Sequence, residues 1–262
     1  MCKSVYYYQT FVGLDELIDN PIIRSINVGA IHFGFNDDNS PYIHLNDHPP
    51  NDKIFDLLWN QLYLLKEQKI KIILMVGGGG GAYEMLFNHF DTFYPMLFYL
   101  ISNKLDLFDG IDIDIEETVT ISSIVKLFNK IHTDFGSNFT ISMAPMNTEL
   151  MYDKPGMAGI NYKELYNLVG ENISYFHVQA YDDFSLDCFK SIINNGYPES
   201  KIIFGMVSGQ YNSDTFKNAL KTIKTIKSEY PNIGGIYNWE YFDSPPDSHQ
   251  HLKWAILVNE CL

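Results

Sequence analysis

Cysteine is scarce in this chain of 262 residues: there are three, Cys2, Cys188 and Cys261, with no two in C-x-x-C spacing. That set excludes a disulfide framework and gives no basis for a zinc site. Cations are also in short supply, with 18 Lys and Arg against 32 Asp and Glu and a formal net charge of −14. A surface of that sign repels phosphate backbones and anionic bilayers, so neither nucleic acid nor membrane is expected as a partner. A neutral or cationic substrate is easier to accept. No apolar run reaches transmembrane length. The opening MCKSVYYYQTFVGLDEL lacks an apolar h-region ending in small residues, and the first strand is expected by Val5. As written, the chain is therefore expected to be intracellular, or secreted only if a leader was removed. No Pro/Gly/Ser-rich linker, repeat or low-complexity block divides it, which predicts one domain over residues 1–262 and a monomer.

What is present is apolar content of 46%, enough for one large core. Eight short β-rich runs follow one another: Ser4–Gln9, Ser25–Phe33, Lys69–Gly77, Phe108–Glu116, Phe139–Met146, Ile173–Tyr181, Lys201–Gly209 and Gly234–Tyr241. Between most of them lie stretches with apolar residues at three- and four-residue spacing, the period of an amphipathic helix. Asp52–Gln68, Ser122–Phe135 and Asp214–Tyr230 are the clearest, and LKWAILVNECL reads as a last helix. Only the first connection, around Leu14–Ile23, is short for a full helix. Strand and helix alternating eight times over this length predict a single (β/α)8 barrel of the α/β class, with a doubly wound open sheet as the competitor.

The stretch FDGIDIDIEE, Phe108–Glu117, carries the chemistry. Isoleucine alternates with acid from Ile111 to Glu116, the period of a strand, so Asp112, Asp114 and Glu116 share one face at about 7 Å intervals. A solvated strand face would mix in Lys, Thr and Ser. A calcium loop would need Gly after the third acid and Glu at position twelve, where Thr120 stands. A divalent-metal cluster remains open, because carboxylates suit hard cations. In a barrel, however, the acids project inward and Glu116 reaches the C-terminal mouth, where such folds place their chemistry. Burial and mutual repulsion there raise the pKa of at least one acid, as a general acid requires.

DGIDIDIE resembles the D-x-x-D-x-D-x-E signature of glycoside hydrolase family 18, the chitinases and related endo-β-N-acetylglucosaminidases, at Asp109, Asp112, Asp114 and Glu116. SMAPM (Ser142–Met146), VQAYD (Val178–Asp182) and GGIYNWEY with Trp239 are similar to that family's fifth, sixth and eighth strands. No long insertion follows the seventh strand, so the compact form without an inserted α+β lobe is expected. The resemblance implies a retaining endo-glycosidase that needs no cofactor and no metal, acting on an oligo- or polysaccharide containing N-acetylglucosamine. It implies that Glu116 is general acid and base, that the substrate's own acetamido group is the nucleophile, and that Asp114 holds that group with Asp112 sharing its proton. It further implies that Tyr181 donates to the acetamido oxygen, that Gln179, Asp182 and Met143 line the subsite, and that Trp239 forms its floor. The rival substrate is the chitobiose core of N-glycans, and a non-hydrolytic chitin-binding lectin is the rival class.

Other residues have readings of their own. Asp109 is expected to be structural, Glu117 a solvated or loop residue, and His177 a hydrogen-bonded core histidine. Tyr6 and Tyr8 alternate on the first strand, and Tyr8, nearer the mouth, is placed within reach of sugar. Gly77–Gly81 formally matches a dinucleotide fingerprint, but a tight loop at the cleft floor is the better reading. Met75 departs from the family, standing where a serine usually bonds the inner aspartate. Asp112 must then find another donor or keep its proton.

Overall fold

All eight β-rich runs become strands, and the first pairs with the last. The computed structural model describes residues 3–262; Cys2 lies outside them. The strands are β1 (Lys3–Tyr8), β2 (Ser25–Phe35), β3 (Pro41–Leu45), β4 (Lys71–Gly77), β5 (Phe108–Asp114), β6 (Thr140–Met143), β7 (Tyr175–Gln179), β8 (Ile202–Val207) and β9 (Gly235–Trp239). Eight of them pair in parallel, in order, and β1 bonds both β2 and β9, which closes a (β/α)8 barrel. The open sheet is thereby excluded. Strand β3 was not anticipated from sequence. It pairs antiparallel with the far end of β2, Phe35 opposite Pro41, across a turn where Asn39 is left-handed (φ 63°).

The shell is built from α1 (Asp15–Asp19), α2 (Asp56–Glu67), α3 (Tyr83–Asn88), α4 (Phe90–Ser102), α5 (Ile121–Phe135), α6 (Asn147–Met151), α7 (Tyr162–Val169), α8 (Leu186–Asn194), α9 (Ser213–Glu229) and α10 (His251–Asn259). Helix starts are set by side chains that accept otherwise orphaned backbone N–H groups. Thr120 does this for α5, Asn161 for α7, Ser185 for α8 and Asn212 for α9. The serine pair at 122–123 thus lies inside α5, and Thr120 caps it.

Two apolar layers result. Between strands and helices lies the main core, which takes Ile111, Ile113 and Ile115 from the β5 region with Leu127, Phe128 and Trp254 from the helices. Each such side chain, fully buried, contributes roughly 1.5–3 kcal/mol. Inside the barrel is a smaller cluster of Val5, Tyr7, Ala30, Met75, Ile203 and Tyr237. Alternation along each strand decides the layer, and it corrects two expectations. On β1 it is Tyr7 that faces inward; Tyr8 is buried in the outer core, stacks edge-on with Phe11 and Tyr241, and donates to the Val12 carbonyl. On β6, Asp112 pairs in register with Ser142 and Ile113 with Met143, so Ser142 turns inward and Met143 joins the outer core. Tyr8 and Met143 thus both turn away from the barrel interior. Cys188 and Cys261 are buried and unbridged.

Candidate active site

The acid ladder keeps its inward parity. Asp112 and Asp114 are buried within β5, while Glu116 lies two residues past the strand's end, half-buried at the mouth. Asp112 accepts hydrogen bonds from the Tyr7 hydroxyl (2.6 Å), the Ser142 hydroxyl (2.5 Å) and His177 Nδ1 (2.9 Å). Burial alone would raise its pKa, but the His177 imidazole and the two hydroxyls hold it below the usual carboxylate range. The donor that Met75 cannot supply is thus replaced from three other strands. Asp114 behaves oppositely: burial first, then the charges of Glu116 and Asp112, push its pKa well above the ordinary value. Two carboxyls on one strand are driven apart, the inner toward its charged form and the outer toward its neutral one.

Gln179, at the end of β7, joins the upper two acids. Its amide nitrogen donates toward Asp114 Oδ1 (3.2 Å), Glu116 Oε1 (3.3 Å) and the Ala144 carbonyl (2.9 Å). Tyr181, two residues beyond, accepts from the Tyr237 hydroxyl at 3.1 Å. With its oxygen so engaged, the Tyr181 hydrogen is free to point elsewhere. Burial keeps that phenol protonated, its pKa well above the ordinary value. Trp239, the last residue of β9, packs beside the Tyr7 ring at 5.2 Å.

Asp114, Glu116, Gln179, Tyr181 and Trp239 line one cavity of about 380 Å3, and beside the two acids its wall is the bare backbone of Gly77–Gly80. That size falls within the ~300–1,000 Å3 range of small-molecule sites. Gly77 and Gly78 are left-handed (φ 95° and 85°), and a Cβ on Gly77 would sit 2.1 Å from the Asp114 carbonyl oxygen. Only glycine lets this loop approach the end of β5 so closely. Glu117 holds it there, accepting the backbone N–H of Tyr83 (2.6 Å), Glu84 (3.0 Å) and Ala82 at the start of α3. It is thus the loop residue expected, and within that loop it clamps the glycine segment. A second cavity of about 460 Å3 shares Gln9, His32 and Trp239 with the first and continues past Asn46 and Glu240, so the site is a cleft and not a pit.

The remaining expectations divide. Asp109 is structural, paired with Lys66 (2.6 Å) and accepting from the Ile72 N–H (2.9 Å). Asp182 is exposed, takes a hydrogen bond from Asn147 (3.0 Å) and does not line the cavity, so its assignment to the subsite is corrected. The sequence reading missed Tyr7, Ser142, Tyr237 and His32. For Tyr7 and Ser142 the phase of the strand is fixed only by pairing, and for all of them the register that makes them neighbours of the site was not readable from sequence. Among the described residues, no group of three or more His, Cys, Asp or Glu is placed to hold a metal ion.

No family model matches the chain, and no curated protein does. Solved structures do. A fungal endo-β-N-acetylglucosaminidase of glycosyl hydrolase family 18 is 26% identical with a TM-score of 0.87, over 100% of this chain and 98% of that one. The chitinase ChiC of Aspergillus fumigatus is 24% identical with a TM-score of 0.84, over 99% of each chain. A chitinase-like agglutinin from Robinia pseudoacacia shares the fold at 13% identity and a TM-score of 0.62, over 98% of each. Barrel, acid ladder and mouth together define a glycoside hydrolase. Within that class, the chain is similar to family 18 enzymes in their compact, chitinase-like form.

Proposed function

We propose that the protein is a retaining endo-glycosidase that cleaves β-1,4 bonds between N-acetylglucosamine units of chitooligosaccharides by substrate assistance. The observation that carries this reading is the inward ladder of Asp112, Asp114 and Glu116, its inner acid bonded by three donors and its upper two lining one cavity with Tyr181 and Trp239. In the proposed cycle the sugar ring lies on Trp239 and Glu116 protonates the leaving glycosidic oxygen. The acetamido oxygen of that same sugar attacks C1, aimed by the Tyr181 hydroxyl, and gives an oxazolinium ion. Asp114 accepts the acetamido N–H and offsets the positive charge that develops on it. The proton shared by the inner acids rests on Asp114 before reaction and passes to Asp112 as that charge develops, so Asp114 meets the oxazolinium as a carboxylate. Glu116, now a carboxylate, then activates the water that opens the ring.

A second substrate, the chitobiose core of an N-glycan, is favoured by the likeness to the fungal endo-β-N-acetylglucosaminidase and would use the same residues. The fold alone does not separate enzyme from lectin, since the agglutinin shares it, but Glu116 and Asp114 are both in place here. Mass spectrometry of products from chitooligosaccharides and from a high-mannose glycopeptide decides among the three. Fragments of chitobiose size are expected from the oligomers; a single sugar left on the peptide would select the second reading, and intact substrates the third. Glu116→Gln should bind oligomers as the wild type does while turnover drops by at least ~10²–10⁴-fold, the contribution of a general acid. Unchanged turnover in that variant would remove the assignment.

A further inference from the structure

The lowest layer of the site holds a titratable group that the proposed cycle does not use. His177 is buried in β7, and its Nδ1 lies 2.9 Å from Asp112 Oδ1. An ionised carboxylate only accepts, so the hydrogen is on that nitrogen. Nε2 has no partner among the described residues. Two rings fix the imidazole edge-on, Tyr7 at 5.6 Å and Tyr237 at 5.7 Å. The titratable groups facing it are Asp112 from β5, Tyr7 from β1 and Tyr237 from β9. Asn27 of β2 lies 3.4 Å from Nδ1, and Met75, Ser142 and Ile203 complete the inward positions of β4, β6 and β8.

Met75 pairs in register with Asp112, so the neighbouring strand offers the acid a thioether, which donates nothing. Of the three groups bonded to Asp112, His177 alone can carry positive charge. We infer that His177 is a positioning residue for hydrolysis: it supplies to Asp112 the hydrogen bond that Met75 cannot, and thereby keeps the shared proton on Asp114. This role rests on the functional reading above, but it can be tested apart from it.

Four variants separate the possibilities in kcat/KM measured against pH on a chitooligosaccharide. In His177→Leu, Asp112 loses a donor and takes up a proton more readily. The acid side of the profile therefore moves to higher pH, by about one pH unit or more. His177→Asn places an amide N–H where Nδ1 was, and is expected to restore the wild-type acid side. Adding Met75→Ser to His177→Leu returns a donor from β4 and should recover most of the displacement. Met75→Ser alone, which does not depend on the leucine variant folding, should move the acid side lower. A uniform fall in rate at every pH in His177→Leu, or no displacement in Met75→Ser, would overturn the role. Carboxyl-¹³C titration of Asp112 in the same proteins without substrate gives the independent readout: its midpoint should rise in His177→Leu and fall in Met75→Ser. If the wild type cleaves no sugar, the functional reading fails while that titration still decides what His177 does.

Discussion

Single side chains in this site act mainly by assigning protons. Because the folded protein holds Asp114 above the unfolded carboxyl value, its effect on stability is least harmful at low pH and worsens as pH rises. Asp114→Asn, a neutral isostere, should therefore gain melting temperature over wild type increasingly above pH ~3.9, the unfolded value. Asp112 has the opposite sign. Its folded value is depressed, so the stability it contributes is present above that unfolded value and is lost as pH falls through the folded one. Asp112→Asn should melt lower than wild type at pH 7, by roughly 3–10 °C for the ~1.5–3 kcal/mol of charge-assisted bonding removed. The gap should close in acid. Thermal melts of both variants across pH check the two signs together. Tyr181→Phe keeps the ring and removes the hydroxyl aimed by Tyr237. Steady-state kinetics should show kcat down by on the order of 10²-fold with KM changed little, the pattern for lost orientation of a reacting group.

Elements, more than residues, were legible in the sequence, and the reason is periodicity. Strict alternation placed Asp112 and Asp114 on the inner face without any partner strand being known, and all eight barrel strands were found from such runs. Where alternation has no phase reference it fails: YYY on β1 fits either parity, and choosing Tyr8 over Tyr7 put the wrong ring in the site. Met143 failed similarly, because its phase is fixed only by pairing with Ile113. The β2–β3 hairpin was missed although Asn36–Ser40 carries turn residues, since the following strand is short and mostly half-buried. The role of Glu117 depends on a contact between residues more than 30 positions apart and has no local signal. In the glycine loop the structure now separates two substitutions. Gly77→Ala meets the Asp114 carbonyl in a left-handed conformation and should lower stability and abolish the folded loop. At Gly79 a Cβ lies at ordinary contact, 3.5 Å from Glu116 Oε2, so Gly79→Ala should melt near wild type while KM rises. Melting curves and oligosaccharide kinetics on the pair test whether the loop serves shape or contact.

At the scale of the whole molecule, the barrel is held shut at the seam where chain start and chain end meet. Helix α10 lies against β1: the Tyr6 hydroxyl donates to the His251 carbonyl, the Ser4 N–H to Asn259 Oδ1, and Trp254 packs on the Tyr6 ring at 4.7 Å. Trp254→Ala should cost ~3–5 kcal/mol, read as a lower denaturant midpoint, with the acid ladder unaltered in the fraction that remains folded. The cleft crosses the top of that closed barrel with two unlike banks. One carries Trp239, Tyr181 and Gln179; the other is peptide backbone from Gly77 to Gly80, adjoining Asp114 and Glu116. A bank without side chains offers a ligand only amide edges, and almost any residue placed there would narrow the channel. Preference for one saccharide over another therefore has to be tuned from the side-chain bank and from the far reach of the cleft around His32 and Asn46, leaving the glycine bank as a fixed gauge of how wide a sugar chain can pass.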